Sequence, residues 1–194
     1  MVMMVVLVGV AAVADAQQIT LEDITSYQYS PKRMREVRPL VDGESYSCVS
    51  DDGQKIERRS FKTGEVVEVL FDASVARGAT VRAVEGYIMS PEEKNILIET
   101  NRTPIYRHSA ISTYYIYNVK NKTLAPLSKG GQQECPKFSP DGNQIAFVRD
   151  NNLFLVKLLF NNAESQITKD GEVNKIINGK PDWMLAWIGL TNLP

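Results

Sequence analysis

Histidine and cysteine are scarce in this 194-residue sequence, which has one histidine, His108, and two cysteines, Cys48 and Cys135. Two cysteines are too few for a disulfide framework, and the spacing of the cysteines and the histidine resembles no metal site. The two cysteines fall in different sequence repeats, which predicts that they are unpaired. We therefore expect neither a metal ion nor any other cofactor.

An excess of charge of either sign is also lacking, because 22 basic residues face 23 acidic ones and the formal net charge is −1. Nucleic-acid binders concentrate lysine and arginine on one face, so this balance predicts no nucleic-acid partner. The densest basic cluster, Lys32, Arg33, Arg35 and Arg38, is interrupted by Glu36 and is typical of a solvated segment.

Long apolar runs are rare, and the one at the N-terminus spans residues 1–13. It is too short to cross a bilayer, which takes about 20 apolar residues. Ala14-Asp15-Ala16 follows as a small-x-small cleavage site, so residues 1–16 are predicted to be a signal peptide, although no lysine or arginine precedes the run. A buried strand is the alternative interpretation. The signal peptide predicts export, to the periplasm or the medium.

From about residue 43 the sequence consists of short β-branched and aromatic runs that are separated by turn residues, and no stretch keeps a helical period for three turns. The turn Ser-Pro-Asp-Gly-Asn-Gln-Ile at 139–145 aligns with Ser-Pro-Glu-Glu-Lys-Asn-Ile at 90–96 and, more weakly, with Ser-Asp-Asp-Gly-Gln-Lys-Ile at 50–56. The copies are 40 and 49 residues apart. Hairpin turns at this period are typical of β-propeller blades, each with four antiparallel strands.

The best-formed blade is predicted to have strands at 133–138, 144–149, 153–159 and 164–168. A second blade covers residues 84–128 and carries an insertion, residues 101–112, between a strand that ends near Thr100 and one that begins near Thr113. This insertion accounts for the longer spacing. The first blade, around residues 44–71, is the most degenerate.

The predicted fold class is all-β, an incomplete β-propeller of about three to four four-stranded antiparallel blades, with a further blade beginning after Asn174. A blade cannot bury both faces of its sheet alone, and about four blades are needed for closure. We therefore expect an open arc that exposes a sheet face at each end and can self-associate through those edges. The predicted divisions are the signal peptide at 1–16, an N-terminal segment at 17–43, the partial propeller at 44–183 and an apolar tail at 184–194.

Several segments resemble the N-terminal propeller of the dipeptidyl peptidase IV family, in a bacterial form. This family is the prolyl-specific branch of the prolyl oligopeptidase superfamily of serine peptidases. The most specific segments are Tyr106-Arg107-His108-Ser109 in the insertion and Asn-Gly-x-Pro-Asp-Trp at 178–183. The resemblance covers residues 19–183 and adds segments at 19–24, 38–44, 114–117, 138–142 and 145–149.

The resemblance implies an exported enzyme that removes X-Pro or X-Ala dipeptides from the N-terminus of a peptide substrate. In that family an α/β-hydrolase domain supplies a catalytic triad with its serine on a Gly-x-Ser-x-Gly elbow, and this sequence contains no such elbow. The chain is therefore expected to have no catalytic residue and to be inactive alone. The resemblance assigns a substrate contact to Arg107. The acidic pair that binds the substrate amine in the family follows the Asp-Trp segment, where this sequence has Met184-Leu185-Ala186.

Other interpretations stay open from the residues alone. Arg107 can be interpreted as a solvated arginine in a long loop, because exposed arginines are common. Its place in the one insertion of the repeat favours a binding role instead. His108 is expected to pack or hydrogen-bond within the loop. The tail at 184–194 matches nothing in the family, which favours a frameshift or a mis-joined coding segment over a genuine short ending. The alternatives to an inactive peptidase fragment are a stand-alone propeller module that binds peptides or proteins, and a chain that does not fold stably.

Overall fold

The computed structural model describes residues 19–26, 28–31, 35–106 and 109–180, and the chain divides into two units, residues 1–33 and 34–194. The predicted signal peptide and the tail at 184–194 lie outside the described residues. In the first unit a short helix, α1, spans Leu21–Thr25. It begins with a capping box, in which the Thr20 amide donates to the Asp23 carboxylate over 2.9 Å and the Asp23 amide donates to the Thr20 hydroxyl over 3.2 Å.

In the second unit the first blade is an antiparallel sheet of four consecutive strands, in the order β1-β2-β3-β4. The strands are β1 (Arg35–Pro39), β2 (Ser45–Val49), β3 (Lys55–Ser60) and β4 (Val66–Asp72). The sequence predicts that this blade begins around residue 44. The structure adds β1, which the sequence does not predict. Most of its side chains are exposed, so its charged and apolar residues do not form the alternating pattern that indicates a half-buried strand.

The second blade is a five-stranded sheet in the order β5-β9-β8-β7-β6. Its strands are β5 (Arg77–Gly78), β6 (Gly86–Met89), β7 (Asn95–Tyr106), β8 (Ser109–Asn118) and β9 (Thr123–Pro126). Four of them form the predicted antiparallel meander. The fifth, β5, pairs in parallel with the edge strand β9, and the sequence does not predict it because two residues carry no periodicity.

The third blade follows its prediction closely, as a four-stranded antiparallel sheet in the order β10-β11-β12-β13. The strands are β10 (Glu134–Phe138), β11 (Gln144–Arg149), β12 (Asn152–Lys157) and β13 (Ala163–Gln166), with a 3-10 turn at Leu158–Phe160. After it the described chain has one isolated bridge, between Glu172 and Ile176, and the blade predicted after Asn174 stays a prediction.

Two apolar cores join the three blades. The first core lies between the first and second blades and buries, among others, Val49, Ile56, Phe71, Tyr87, Ile96, Ile98 and Tyr117. The second core lies between the second and third blades and includes Leu97, Tyr114, Ile116, Ile145, Phe147, Phe154 and Val156. Successive residues of a strand point to opposite faces, so β7 sends Ile96 and Ile98 into one core and Leu97 into the other. Each such fully buried side chain contributes about 1.5–3 kcal/mol.

The middle sheet is therefore covered on both faces, as a propeller blade must be. Within the described residues the first and third sheets each share a core with one other sheet only. The predicted fold class, an incomplete β-propeller with four-stranded antiparallel blades, is confirmed.

The repeated turn sequence has a common hydrogen-bond pattern. In each copy the serine hydroxyl accepts from the amide five residues later, and the serine carbonyl accepts from the amide three residues later. The first bond joins Ser50 to Lys55, Ser90 to Asn95 and Ser139 to Gln144, over 2.9, 3.0 and 3.0 Å. The second bond is 2.9 Å long in all three copies and starts from Gly53, Glu93 and Gly142. The motif thus closes one hairpin in each blade, between β2 and β3 in the first, between β6 and β7 in the second and between β10 and β11 in the third.

The two cysteines are unpaired, as predicted. Cys48 is buried in β2 of the first blade, and Cys135 lies in β10 of the third. Burial raises the pKa of the Cys48 thiol, which keeps it protonated at neutral pH.

Candidate functional site

The candidate site is the long hairpin of the second blade. Its strands β7 and β8 pair within the sheet from Asn95↔Asn118 to Thr100↔Thr113. They then continue beyond the sheet, where Thr103 pairs with Ile111, Pro104 with Ala110 and Tyr106 with Ser109. We call residues 103–106 and 109–111 the arm.

The arm corrects the sequence-based interpretation of residues 101–112 as an insertion between two strands. The second strand does not end near Thr100, and the third does not begin near Thr113. The inserted residues prolong both strands as one antiparallel ribbon. The physical reason is that Thr103, Ile105 and Ile111 are β-branched, and pairing satisfies backbone groups that a loop would leave to water.

A β-bulge marks the point where the arm leaves the sheet. The pairing register shifts between Thr100 and Thr103, and Asn101 adopts a left-handed conformation with a φ of 52°. Asparagine tolerates this region better than most residues. The Gln132 side-chain amide donates to the Asn101 carbonyl over 3.1 Å, which ties the bulge to the segment that leads into the third blade. Bulges bend the strand that carries them and increase its twist, so this one re-aims the ribbon.

Four residues surround the bulge, and we call Glu85, Glu99, Arg102 and Ser112 the root clamp. One oxygen of Glu99 accepts from the Ser112 hydroxyl over 2.6 Å and lies 3.5 Å from Nε of Arg102. The backbone amide of Arg102 donates to the Glu85 carboxylate over 2.7 Å. Both acidic side chains therefore bind the same bulged residue, one at its guanidinium and the other at its amide.

The returning strand is fixed to the third blade. Ser112 and Gln133 are fully buried and exchange two backbone hydrogen bonds, of 3.0 and 2.8 Å. The side-chain oxygen of Gln133 also accepts from the Tyr114 amide over 3.0 Å. Burial, and secondarily the Glu99 carboxylate, raises the pKa of the Tyr114 phenol, so this residue is neutral beside the clamp.

Arg107 and His108, which connect the two strands of the arm in sequence, lie outside the described residues, as do Asp182 and Trp183. The root clamp is not predicted from the sequence. Its one available signal is Glu99, a charged residue directly after the apolar run Ile96-Leu97-Ile98. The contacts of the clamp come from separate elements, and no local pattern reveals them.

Other features of the second unit leave the arm as the strongest candidate. A cleft of about 330 Å³ between the first and second blades is lined by Arg38, Pro39, Val41, Ile88, Met89, Ser90, Pro91 and Glu93, none of which belongs to the arm.

Across the described ranges, no three His, Cys, Asp or Glu side chains come together in a way that could hold a metal ion. In the same ranges no helix is long and apolar enough to cross a membrane.

Comparison with known proteins gives consistent matches. Residues 90–186 match the family model described as the dipeptidyl peptidase IV (DPP IV) N-terminal region. A probable dipeptidyl peptidase 4 from Aspergillus fumigatus is 32% identical over 155 residues, which cover 77% of this chain and 20% of that protein. The prolyl endopeptidase FAP of Homo sapiens is 31% identical over 169 residues, covering 86% of this chain and 21% of the relative.

A solved structure agrees in fold. The crystal structure of Porphyromonas gingivalis dipeptidyl peptidase 4 superposes with a TM-score of 0.78 and 36% sequence identity, over 87% of this chain and 24% of that one. The chain thus spans about a fifth of the length of the curated relatives and about a quarter of the solved structure.

Proposed function

The chain belongs to the family of dipeptidyl peptidase IV N-terminal regions, and on that premise we propose that it forms a substrate-holding β-propeller segment of an exported serine dipeptidyl peptidase. In this proposal the arm of the second blade presents Arg107 to a peptide whose second residue is proline or alanine. The apolar run at 1–13 and the small-x-small site at 14–16 support export.

The observation that carries the proposal is the arm itself. It is the one place among the described residues where two strands of a blade continue as a paired ribbon past the sheet, and they do so on either side of Arg107 and His108. Binding residues concentrate on segments that a rigid scaffold holds away from its core. The second blade provides that scaffold, because both of its faces are buried against neighbouring sheets.

Arginine suits the role that the proposal gives to residue 107. A guanidinium is charged at every physiological pH and offers several donors in one plane, so it can hold a peptide carbonyl in a fixed orientation. A lysine ammonium offers a point charge on a flexible stem and would orient the carbonyl less well.

Hydrolysis is not assigned to residues of this chain. The sequence has no Gly-x-Ser-x-Gly elbow, so in the proposal the nucleophile belongs to a hydrolase domain of the kind that the family resemblance implies. We accordingly expect the 194-residue chain to release no chromophore from an X-Pro chromogenic substrate. Turnover by the purified chain would contradict this division of roles.

The test of the proposal is a calorimetric titration of the chain with the peptide Ala-Pro-Gly-Ala. Arg107→Ala should weaken binding by at least about tenfold, since a hydrogen bond to a charged group contributes roughly 1.5–3 kcal/mol. The affinity of Arg107→Lys should fall between those of Arg107→Ala and the unmodified chain.

The matched control for this titration is Arg82→Ala, because Arg82 is an exposed arginine outside the arm. Its substitution should leave the affinity unchanged. Equal binding by the unmodified chain and Arg107→Ala would refute the proposal. Equal affinity for Ala-Pro-Gly-Ala and Ala-Gly-Gly-Ala would favour the alternative of a general peptide-binding module.

A further inference from the structure

We propose that the root clamp sets the direction of the arm, and that Glu85 and Glu99 are thereby positioning residues for the peptide contact at its end. The inference rests on the proposed function for its biological meaning. It rests on the described contacts for its geometry.

An isolated two-stranded ribbon does not hold a direction by itself. Hairpins of two strands are marginally stable in water, and they twist more strongly than strands inside a sheet. The arm projects past the paired region of the sheet, and the bulge at its base interrupts the regular ladder. Its direction must therefore be set by contacts at the base.

Glu99 provides such contacts from inside the sheet. Its side chain is 17% exposed, which is low for a carboxylate, and it binds Ser112 on one strand and Arg102 on the other. A largely buried carboxylate holds its partners strongly, because a buried charge without a partner is unfavourable. The two strands of the arm are thus fixed to one group.

Gly86 makes room for this carboxylate. A Cβ atom at Gly86 would lie 2.5 Å from the second oxygen of Glu99, which is closer than two such atoms can approach. The position of Glu99 therefore depends on a glycine at residue 86. Glu85, the residue before it, completes the arrangement by accepting from the Arg102 amide.

The clamp is itself anchored to the next blade. Ser112 is fully buried and bridged to Gln133, and Gln132 holds the bulge at Asn101. A change at Glu99 should therefore alter the angle between the arm and the third blade, without separating the blades. That prediction distinguishes a positioning role from a role in overall stability.

The experiment measures the direction of the arm and the affinity for peptide in the same variants. Spin labels are attached to cysteines introduced at Thr103, in the arm, and at Lys157, in the third blade, in a Cys135→Ser background. Pulsed electron paramagnetic resonance then gives the distribution of label-to-label distances. Two variants disturb the clamp, namely Glu99→Gln, which removes the charge that faces Arg102, and Gly86→Ala, which displaces the carboxylate sterically.

The matched control is Glu92→Gln. Glu92 also belongs to the second blade and is ion-paired with Lys94, but it lies in the exposed turn between β6 and β7. We expect both clamp variants to broaden or shift the distance distribution and to weaken binding of Ala-Pro-Gly-Ala by about tenfold, since small misplacements of a contact are costly. The control should change neither quantity.

The outcomes separate this inference from the proposed function. If Arg107→Ala weakens binding but both clamp variants leave the distances and the affinity unchanged, the inference is wrong and the proposed function stands. If the clamp variants move the arm while Arg107→Ala has no effect on binding, the arm is positioned by the clamp and the proposed function fails. A clamp variant that loses affinity with an unchanged distance distribution also overturns the inference.

Discussion

At the scale of single residues, Tyr87 joins the first two blades through a polar contact inside an apolar core. Its side chain is buried, with 1% of the residue exposed, and its hydroxyl lies 2.6 Å from the Ser47 hydroxyl and donates to the Glu36 carbonyl over 2.8 Å. Burial raises the pKa of Tyr87 to about 12, so the phenol stays protonated and these bonds persist throughout the physiological pH range. The guanidinium of Arg38 lies 5.2 Å from the centre of the ring.

Tyr87→Phe should lower the free energy of unfolding by about 1–2 kcal/mol, because the buried Ser47 hydroxyl loses its closest partner. The measurement is urea denaturation followed by circular dichroism. Tyr117→Phe is the matched control, since Tyr117 is also 1% exposed in the same core and packs edge-on against Phe71, and no hydrogen bond joins its hydroxyl to another residue that the structure describes. Equal destabilisation by the two substitutions would contradict the assignment.

At the scale of elements, the short strand β5 depends on a close approach of two backbones. Gly78 has a φ of 111°, and a Cβ atom there would overlap the Leu124 carbonyl oxygen. On either side of Gly78, the Arg77 amide donates to the Lys122 carbonyl over 2.9 Å and the Ala79 amide donates to the Leu124 carbonyl over 3.1 Å. The parallel pairing of β5 with β9 therefore requires a glycine at this position.

Gly78→Ala should release β5 from the edge of the second blade. We expect the amides of Arg77 and Ala79 to lose their protection from hydrogen exchange, measured by mass spectrometry or nuclear magnetic resonance. Gly131→Ala is the matched control, because Gly131 has a similar φ of 117° but open space where a Cβ atom would lie. If the two variants lose the same protection at β5, a general loss of stability and not the close contact with Leu124 explains the effect.

The elements also show which parts of this molecule its sequence can predict. The third blade is predictable almost strand by strand, because its apolar runs are separated by clear turn residues and its strands are half-buried. Strand β1 is not predicted, because its exposed, charged residues do not show the alternation of apolar and polar side chains that identifies a strand. The arm resembles a loop insertion in the sequence because a ribbon that leaves the sheet no longer alternates between core and solvent.

The candidate site is predictable only in part. The motif that contains Arg107 identifies the hairpin, since a specific sequence in the single insertion of a repeat is a local signal. The root clamp cannot be predicted, because Glu85, Glu99 and Ser112 meet through pairing of separate strands. Register at a bulge is set by tertiary contacts and cannot be derived from the period of two that identifies strands.

At the scale of the whole propeller unit, the first blade has one face that is not covered by another described sheet. Ser47 and Ile56 point towards the second blade, so their strand neighbours Tyr46 and Glu57 point away from it. Phe61 is 55% exposed and Val69 on this sheet is 45% exposed, whereas Tyr46, which packs against Phe61, and Cys48 are themselves buried. Exposed apolar surface of this kind favours association.

We predict that two copies of the chain associate through this face. Its Glu57 and Arg59 are ion-paired with each other over 2.7 Å, so these two charges neutralise one another and do not oppose the approach of a second copy. Sedimentation velocity should show an average mass that rises with concentration, and Val69→Lys should abolish the rise. Leu159→Lys, at an exposed apolar residue of the third blade, is the matched control and should not. A chain that stays monomeric at high concentration would show that this face does not self-associate.

In the proposed function, the arm of the second blade is the surface that holds a peptide. The most direct measurement is a map of amide chemical shifts in isotope-labelled chain as Ala-Pro-Gly-Ala is added. We expect the largest, saturable changes at the amides of residues 103, 105–106 and 109–111, with smaller ones at the root clamp. Changes centred instead on the cleft beside Val41, Ile88 and Met89, or no saturable change at any amide, would contradict it.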